Sequence, residues 1–136
     1  MSAQRDERDE TGERLRVVQG LWDRTQARDW AGVGALLAPD VVVEWPASGE
    51  RIVGRENYVG MNAAYPEGWS IRVLRLVADD DCVVSEVEVP HEETGVHRVA
   101  SFWSVRGGLI VAGREYWTEL GADPAPGWRA RYVERM

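Results

Sequence analysis

Lysine is absent from this chain of 136 residues, which carries one cysteine, one phenylalanine and two histidines. A lone Cys82 allows no internal disulfide. His91 and His97, six positions apart and far from that cysteine, match no recognised ligand spacing, so no metal site is expected. No apolar run exceeds four residues, as at Leu109–Ala112, whereas a bilayer helix requires roughly 20. Membrane spanning is therefore not expected. The first thirty positions open with charge where a secretion signal would need an apolar stretch. No strand is followed by a glycine-rich loop of phosphate-binding form, which removes support for a nucleotide cofactor. The 16 basic residues, all arginine, face 23 acidic ones for a formal charge of -7, and no basic cluster stands apart. Nucleic acid and anionic membrane are poor partners on that balance. Cysteine usage and the missing signal together predict a soluble, cytoplasmic protein.

What is present suffices for one domain with one core, since 44% of the residues are hydrophobic. Residues 1–12 are polar without periodicity and predict a frayed tail, leaving a single domain over 13–136. Leu15, Val18, Leu21 and Trp22 recur at three- and four-residue spacing and predict a helix over about 13–28. Asp29 stands where an N-cap belongs, and Trp30, Val33, Leu36 and Leu37 predict a short second helix that Pro39 stops. Val41–Trp45 begins the strands, closed by Pro46 and a turn. Gly54–Met61 predicts a third short helix. Strands follow over 70–77, 82–89, 97–105 and 109–119, separated by turns, and predict an antiparallel meander. Trp128–Met136 is a closing segment whose Trp128 and Tyr132 could dock on the body. Helices first and a long antiparallel sheet second is the α+β layout.

Strand alternation divides the last hairpin into two faces. If Gly107-Gly108 is its two-residue loop, Ala100 lies opposite Glu115 and Arg98 opposite Trp117. One face then carries Arg98, Ala100, Phe102, Gly113, Glu115 and Trp117. The other carries His97, Val99, Ser101, Trp103, Val105, Ala112, Arg114, Tyr116 and Thr118. Both hold large apolar residues, so neither is expected to lie fully in water, and alternation alone does not decide which faces the helices. The seven tryptophans suit a core and a ligand pocket equally well.

The order of these elements, with Leu36-Leu37-Ala38-Pro39-Asp40-Val41, Val53-Gly54-Arg55-Glu56 and Arg114-Glu115-Tyr116-Trp117-Thr118-Glu119, resembles the nuclear transport factor two-like superfamily over about residues 13–120. Ketosteroid isomerase, limonene epoxide hydrolase and the SnoaL-like polyketide cyclases belong to it. The resemblance implies a cone: a curved sheet and about three N-terminal helices enclosing an apolar pocket. It also implies that the pocket face is the one bearing Arg98, Phe102, Glu115 and Trp117, with Val87 and Val89 inward. Three isomerase positions fall on Trp45, Ala100 and the neighbourhood of Leu21, none of which can do that chemistry. Arg114-Glu115-Tyr116-Trp117 matches the run that carries the hydrolase base, with Glu for Asp, while its companions fall on Val87 and Val89.

Glu115 is thus the leading candidate: a carboxylate projecting from a strand into an apolar hollow gains proton affinity toward the range of a general base or acid. Arg98 is expected diagonally across from it, either as an ion-pair partner or steadying developing negative charge. Trp22, Trp45, Tyr58, Val87, Phe102 and Trp117 are expected to line a site for a small hydrophobic molecule. His91 and His97 are assigned to the surface. The face with Val99, Trp103, Val105 and Tyr116 would then be outward and apolar, which predicts a homodimer. The expected activity is that of a cofactor-free isomerase, cyclase or hydrolase, and the rival expectation is a noncatalytic small-molecule binder of the same fold.

Overall fold

A computed structural model describes residues 7–136. Helix α1 (Glu7–Gln26) is followed by α2 (Trp30–Gly34), strands β1 (Leu37–Trp45) and β2 (Glu50–Val53), helix α3 (Arg55–Ala64), and strands β3 (Arg72–Asp79), β4 (Cys82–His91), β5 (Gly95–Arg106) and β6 (Leu109–Glu119). A short 3-10 turn, Gly127–Tyr132, closes the chain. The first helix begins at Glu7 rather than at Glu13, with acidic residues in its first turn, where the helix dipole favours them. The rest of the expected tail, residues 1–6, lies outside the described residues. Trp128 and Tyr132 do not dock: they are 76% and 72% exposed. Among the described residues no helix is long and apolar enough to cross a membrane.

Six strands form one curved sheet in the order β2-β1-β6-β5-β4-β3, the α+β cone expected from the pattern. The meander β3 to β6 is antiparallel throughout, and β1 joins its β6 edge in parallel. Asp29 caps α2, its carboxylate accepting from the Gly32 amide at 3.0 Å. The inner face of the sheet meets α1 through Val17, Val18, Leu21 and Trp22, all buried. Strand β2, which completes the turn after Trp45, is short and mostly exposed and has no apolar alternation by which sequence could find it.

The β5–β6 hairpin turns where expected. Gly107 and Gly108 both have positive φ, 58° and 77°, as a type I′ turn requires. Directly after it the register slips: Val105 pairs with Ile110 but Ser104 pairs with Ala112, so Val111 is an extra residue in β6. This β-bulge shifts every later partner by one and changes which residues share a face. Glu115 lies opposite Ser101 and Trp117 opposite Val99. The inner face therefore carries Val99, Ser101, Trp103 and Val105 with Gly113, Glu115 and Trp117, and the outer face carries Arg98, Phe102 and Tyr116. The pocket face inferred from the uninterrupted hairpin is corrected accordingly.

Trp103, fully buried, shows why Gly113 is needed opposite it. A Cβ on Gly113 would stand 2.5 Å from the Trp103 ring. The indole N–H of Trp103 donates to the Ser85 hydroxyl at 3.0 Å, and Trp22 donates to the same oxygen at 3.2 Å, so the ring has little room to move. Gly113→Ala is expected to destabilise the fold by about 1–3 kcal/mol through overpacking, read as a lower midpoint in urea with an unchanged slope.

Candidate functional site

Strand β6 carries Glu115 on the inner face, where it is 2% exposed. Its carboxylate is held by two neutral donors from the neighbouring strands. The Trp45 indole N–H donates to Oε1 at 3.1 Å, and the Ser101 hydroxyl donates to Oε2 at 2.8 Å. Trp45 reaches it because β1 runs parallel to β6 with Glu44 beside Arg114; Ser101 reaches it because the bulge sets it directly across. The Trp117 indole N–H is buried and makes no hydrogen bond of good geometry, though it lies close enough to favour the ionised form. Burial outweighs these donors, and the proton affinity of Glu115 rises above the usual carboxylate range. Among the described residues no cation contributes to its stabilisation.

Two hollows meet at this carboxylate. The outer one is an open cavity of about 370 Å³ lined by aromatic and apolar side chains, among them Trp45, Met61, Tyr65 and Trp117, with Glu50, Ser48 and His97 as further polar walls. Its size is within the range of small-molecule sites. The inner one is a chamber of about 20 Å³ bounded by Trp22, Thr25, Tyr58, Asn62, Trp69 and Trp117, enough for one water. Glu115 lines both. Tyr58 is buried, edge-on to Trp103, and its hydroxyl is held protonated well above the ordinary tyrosine range by burial and then by the charge of Glu115. The indole N–H groups of Trp69 and Trp117 are buried without a protein partner.

The sequence-derived candidates divide on the bulge. Glu115, Trp45, Trp117, Tyr58 and Trp22 come together at the two hollows. Arg98 does not: it points outward and pairs with Glu88 at 3.2 Å, so neither the ion pair with Glu115 nor an oxyanion role survives. Phe102 is also on the outer face, 36% exposed and packed against Tyr116. Val87 and Val89 face inward as expected, but Val87 is core beneath the site and lines neither hollow. Both histidines are corrected. His91 is buried, with Nε2 at 3.0 Å from the Pro66 carbonyl and Nδ1 accepting from the Glu93 amide. His97 shares the inner face and lines the outer cavity, its Nδ1 unpartnered. Val99, Trp103 and Val105, on which the dimer expectation leaned, are core residues. Ser101, Tyr65 and Met61 are site residues that sequence did not single out; Ser101 had been assigned to the opposite face.

Residues 18–113 match the SnoaL-like domain family. The chain belongs to that family. A protein of Kribbella flavida DSM 17836, provisionally named a ketosteroid isomerase, is 32% identical to this SnoaL-like chain, with a TM-score of 0.83 over 93% of this chain and 91% of its own. An NTF-2 like protein of unknown function from Burkholderia xenovorans LB400 is 23% identical, with a TM-score of 0.74 over 93% and 98%. An LEH-like epoxide hydrolase of M. tuberculosis is 24% identical, with a TM-score of 0.69 over 80% and 85%, and shares the fold. No curated protein matches this SnoaL-like chain significantly. The family is one of small-molecule isomerases, cyclases and hydrolases.

Because burial raises the proton affinity of Glu115, the native chain retains a proton in a pH window where the unfolded chain has already released it. Stability is full below the ordinary carboxylate value and falls as pH climbs through the raised one. Glu115→Gln removes this titration. Its melting temperature relative to the parent is expected to rise between pH 4 and pH 8, measured by thermal unfolding in parallel.

Proposed function

We propose that the protein is an acid/base enzyme of the isomerase, cyclase or hydrolase type, working without a cofactor on a small hydrophobic molecule held in the outer cavity. Glu115 is the proton-transferring group. One observation carries this: a carboxylate shut away from water, held by neutral donors alone, stands at the junction of a ligand-sized cavity and a water-sized chamber. Such a group, with proton affinity raised toward neutrality, can accept a proton and return it within one turnover.

The two donors set its geometry. Trp45 and Ser101 each engage one oxygen, leaving the other lone pairs of the carboxylate free for substrate or water. For isomerisation, Glu115 takes a proton from an activated carbon and delivers it to another carbon of the same molecule. For hydrolysis, it takes a proton from a water as the water oxygen attacks and the bond to the leaving oxygen breaks, and Glu115 then returns that proton to the leaving oxygen. A water seated in the inner chamber would have the Trp69 and Trp117 N–H groups and the Tyr58 hydroxyl within the same walls.

The test is turnover of limonene epoxide and of a β,γ-unsaturated ketosteroid, as probes of hydrolysis and isomerisation. Glu115→Gln is expected to lower kcat by about 10²- to 10⁴-fold on whichever probe reacts, with binding retained. Unchanged turnover removes Glu115 from the chemistry, and binding without turnover in the parent chain favours a sheltering role. The acidic limb of kcat/KM should lie above the usual carboxylate range. Ser101→Ala, which deletes a donor to the anion, should move that limb higher still.

A homodimer through the outer sheet face belongs to the same proposal. Its support is now Val77, Phe102 and Tyr116, all more than a third exposed, flanked by the mixed-sign ladder Arg72, Glu88 and Arg98, which a two-fold axis can match to itself. Phe102→Glu is expected to give monomers in sedimentation equilibrium, whereas a parent chain that is already monomeric would remove the dimer.

A further inference from the structure

Glu115 presents a question of charge balance. A buried carboxylate is costly unless a cation or strong donors compensate it, and here the compensation comes from an indole and a hydroxyl. Five of the arginines are engaged away from it. Arg28 lies over the Trp69 ring and pairs with Glu67 at 2.7 Å; Arg72 and Arg98 hold Glu88; Arg106 holds Asp81; Arg114 leans over Phe102 on the outer face. Among the described residues no arginine lines the outer cavity, and lysine does not occur in the chain. The cavity instead has Glu115 and Glu50 in its walls together with the rings of Trp45, Tyr65 and Trp117.

Aromatic faces are electron-rich and attract a cation set over them, most strongly for indole. A pocket combining three such rings with two carboxylates, and with the His97 imidazole as the one wall group able to carry positive charge among the lining residues, discriminates by charge as well as by apolarity when that imidazole is neutral. It favours a cation over an isosteric neutral molecule and rejects an anion. We propose that the outer cavity selects a hydrophobic amine, a tertiary or quaternary ammonium on an apolar body, with Glu115 and Glu50 as its counter-charges and Trp45, Tyr65 and Trp117 as its cage. An ammonium bound there also holds Glu115 ionised, the form a base requires. The proposal rests on the outer cavity being the ligand site, and it is independent of whether chemistry follows.

Three probes of matched shape test it at pH 8: benzyltrimethylammonium, neutral neopentylbenzene and anionic phenylmethanesulfonate, each titrated against tryptophan fluorescence with calorimetry as the second readout. The ammonium is expected to bind at least tenfold tighter than the neutral isostere, and the sulfonate not to bind. Glu115→Gln should weaken the ammonium at least tenfold and leave the neutral probe unchanged. Glu50→Gln, at an exposed position that the fold does not depend on, should weaken the ammonium several-fold. Equal or tighter binding of the neutral probe, any binding of the sulfonate in preference to the ammonium, or ammonium binding that survives both substitutions overturns the proposal while leaving the cavity as a ligand site. If none of the three probes perturbs the tryptophans, the ligand-site reading fails with it.

Discussion

One inserted residue, Val111, governs the disposition of this molecule's chemistry. Because side chains alternate with period two along a strand, a single unpaired position in β6 exchanges the partners of everything beyond it. With the bulge, Glu115 shares a face with Ser101, Val99 and Trp103, and the helices close over it. In an uninterrupted ladder it would share a face with Arg98 and Phe102, two residues that the structure leaves in contact with solvent. Bulges recur beside active sites for this reason: they re-aim a side chain without altering the architecture.

From that placement the electrostatics follow. Glu115 loses its hydration and gains only neutral donors, so its proton affinity rises, and the cost of its charge is left for a ligand or a proton to offset. The aromatic residues act at the same site in two ways. Trp103 and Trp22, tied together through the Ser85 hydroxyl, make the floor rigid and leave only a water-sized chamber beneath the carboxylate. Trp45, Tyr65 and Trp117 stand further out and enclose the larger space. Rigid rings below and a ring-lined opening above turn one acidic side chain into a site with a defined approach.

Much of this was open to inspection in the amino-acid order. Helical spacing of Leu15, Val18, Leu21 and Trp22, the Asp29 cap, the Gly107-Gly108 turn and the meander all correspond to what is found, because each depends on neighbours within a few positions. Glu115 was recognisable as an acid on a strand otherwise made for burial. Two local signs of the bulge were also there. A glycine inside a strand, Gly113, commonly marks a bulge or a close approach, and the set Val99, Trp103 and Val105 is apolar enough to need cover, which the core supplies. An uninterrupted hairpin combined with the pocket face that the resemblance implies puts Arg98 and Phe102 inside and Ser101 and His97 outside, the reverse of what the bulge produces.

Local periodicity thus determined the kinds of elements and their order, since hydrophobic spacing, caps and tight turns are short-range properties of the chain, and the family resemblance pointed to Glu115. The tertiary structure alone decided what surrounds that acid. Register across β5 and β6 and the parallel approach of β1 that brings the Trp45 indole to the carboxylate arise from pairing between residues 14 to 70 positions apart. Such pairings are settled by how side chains fill the space between sheet and helices, a global packing condition that no short window of sequence contains.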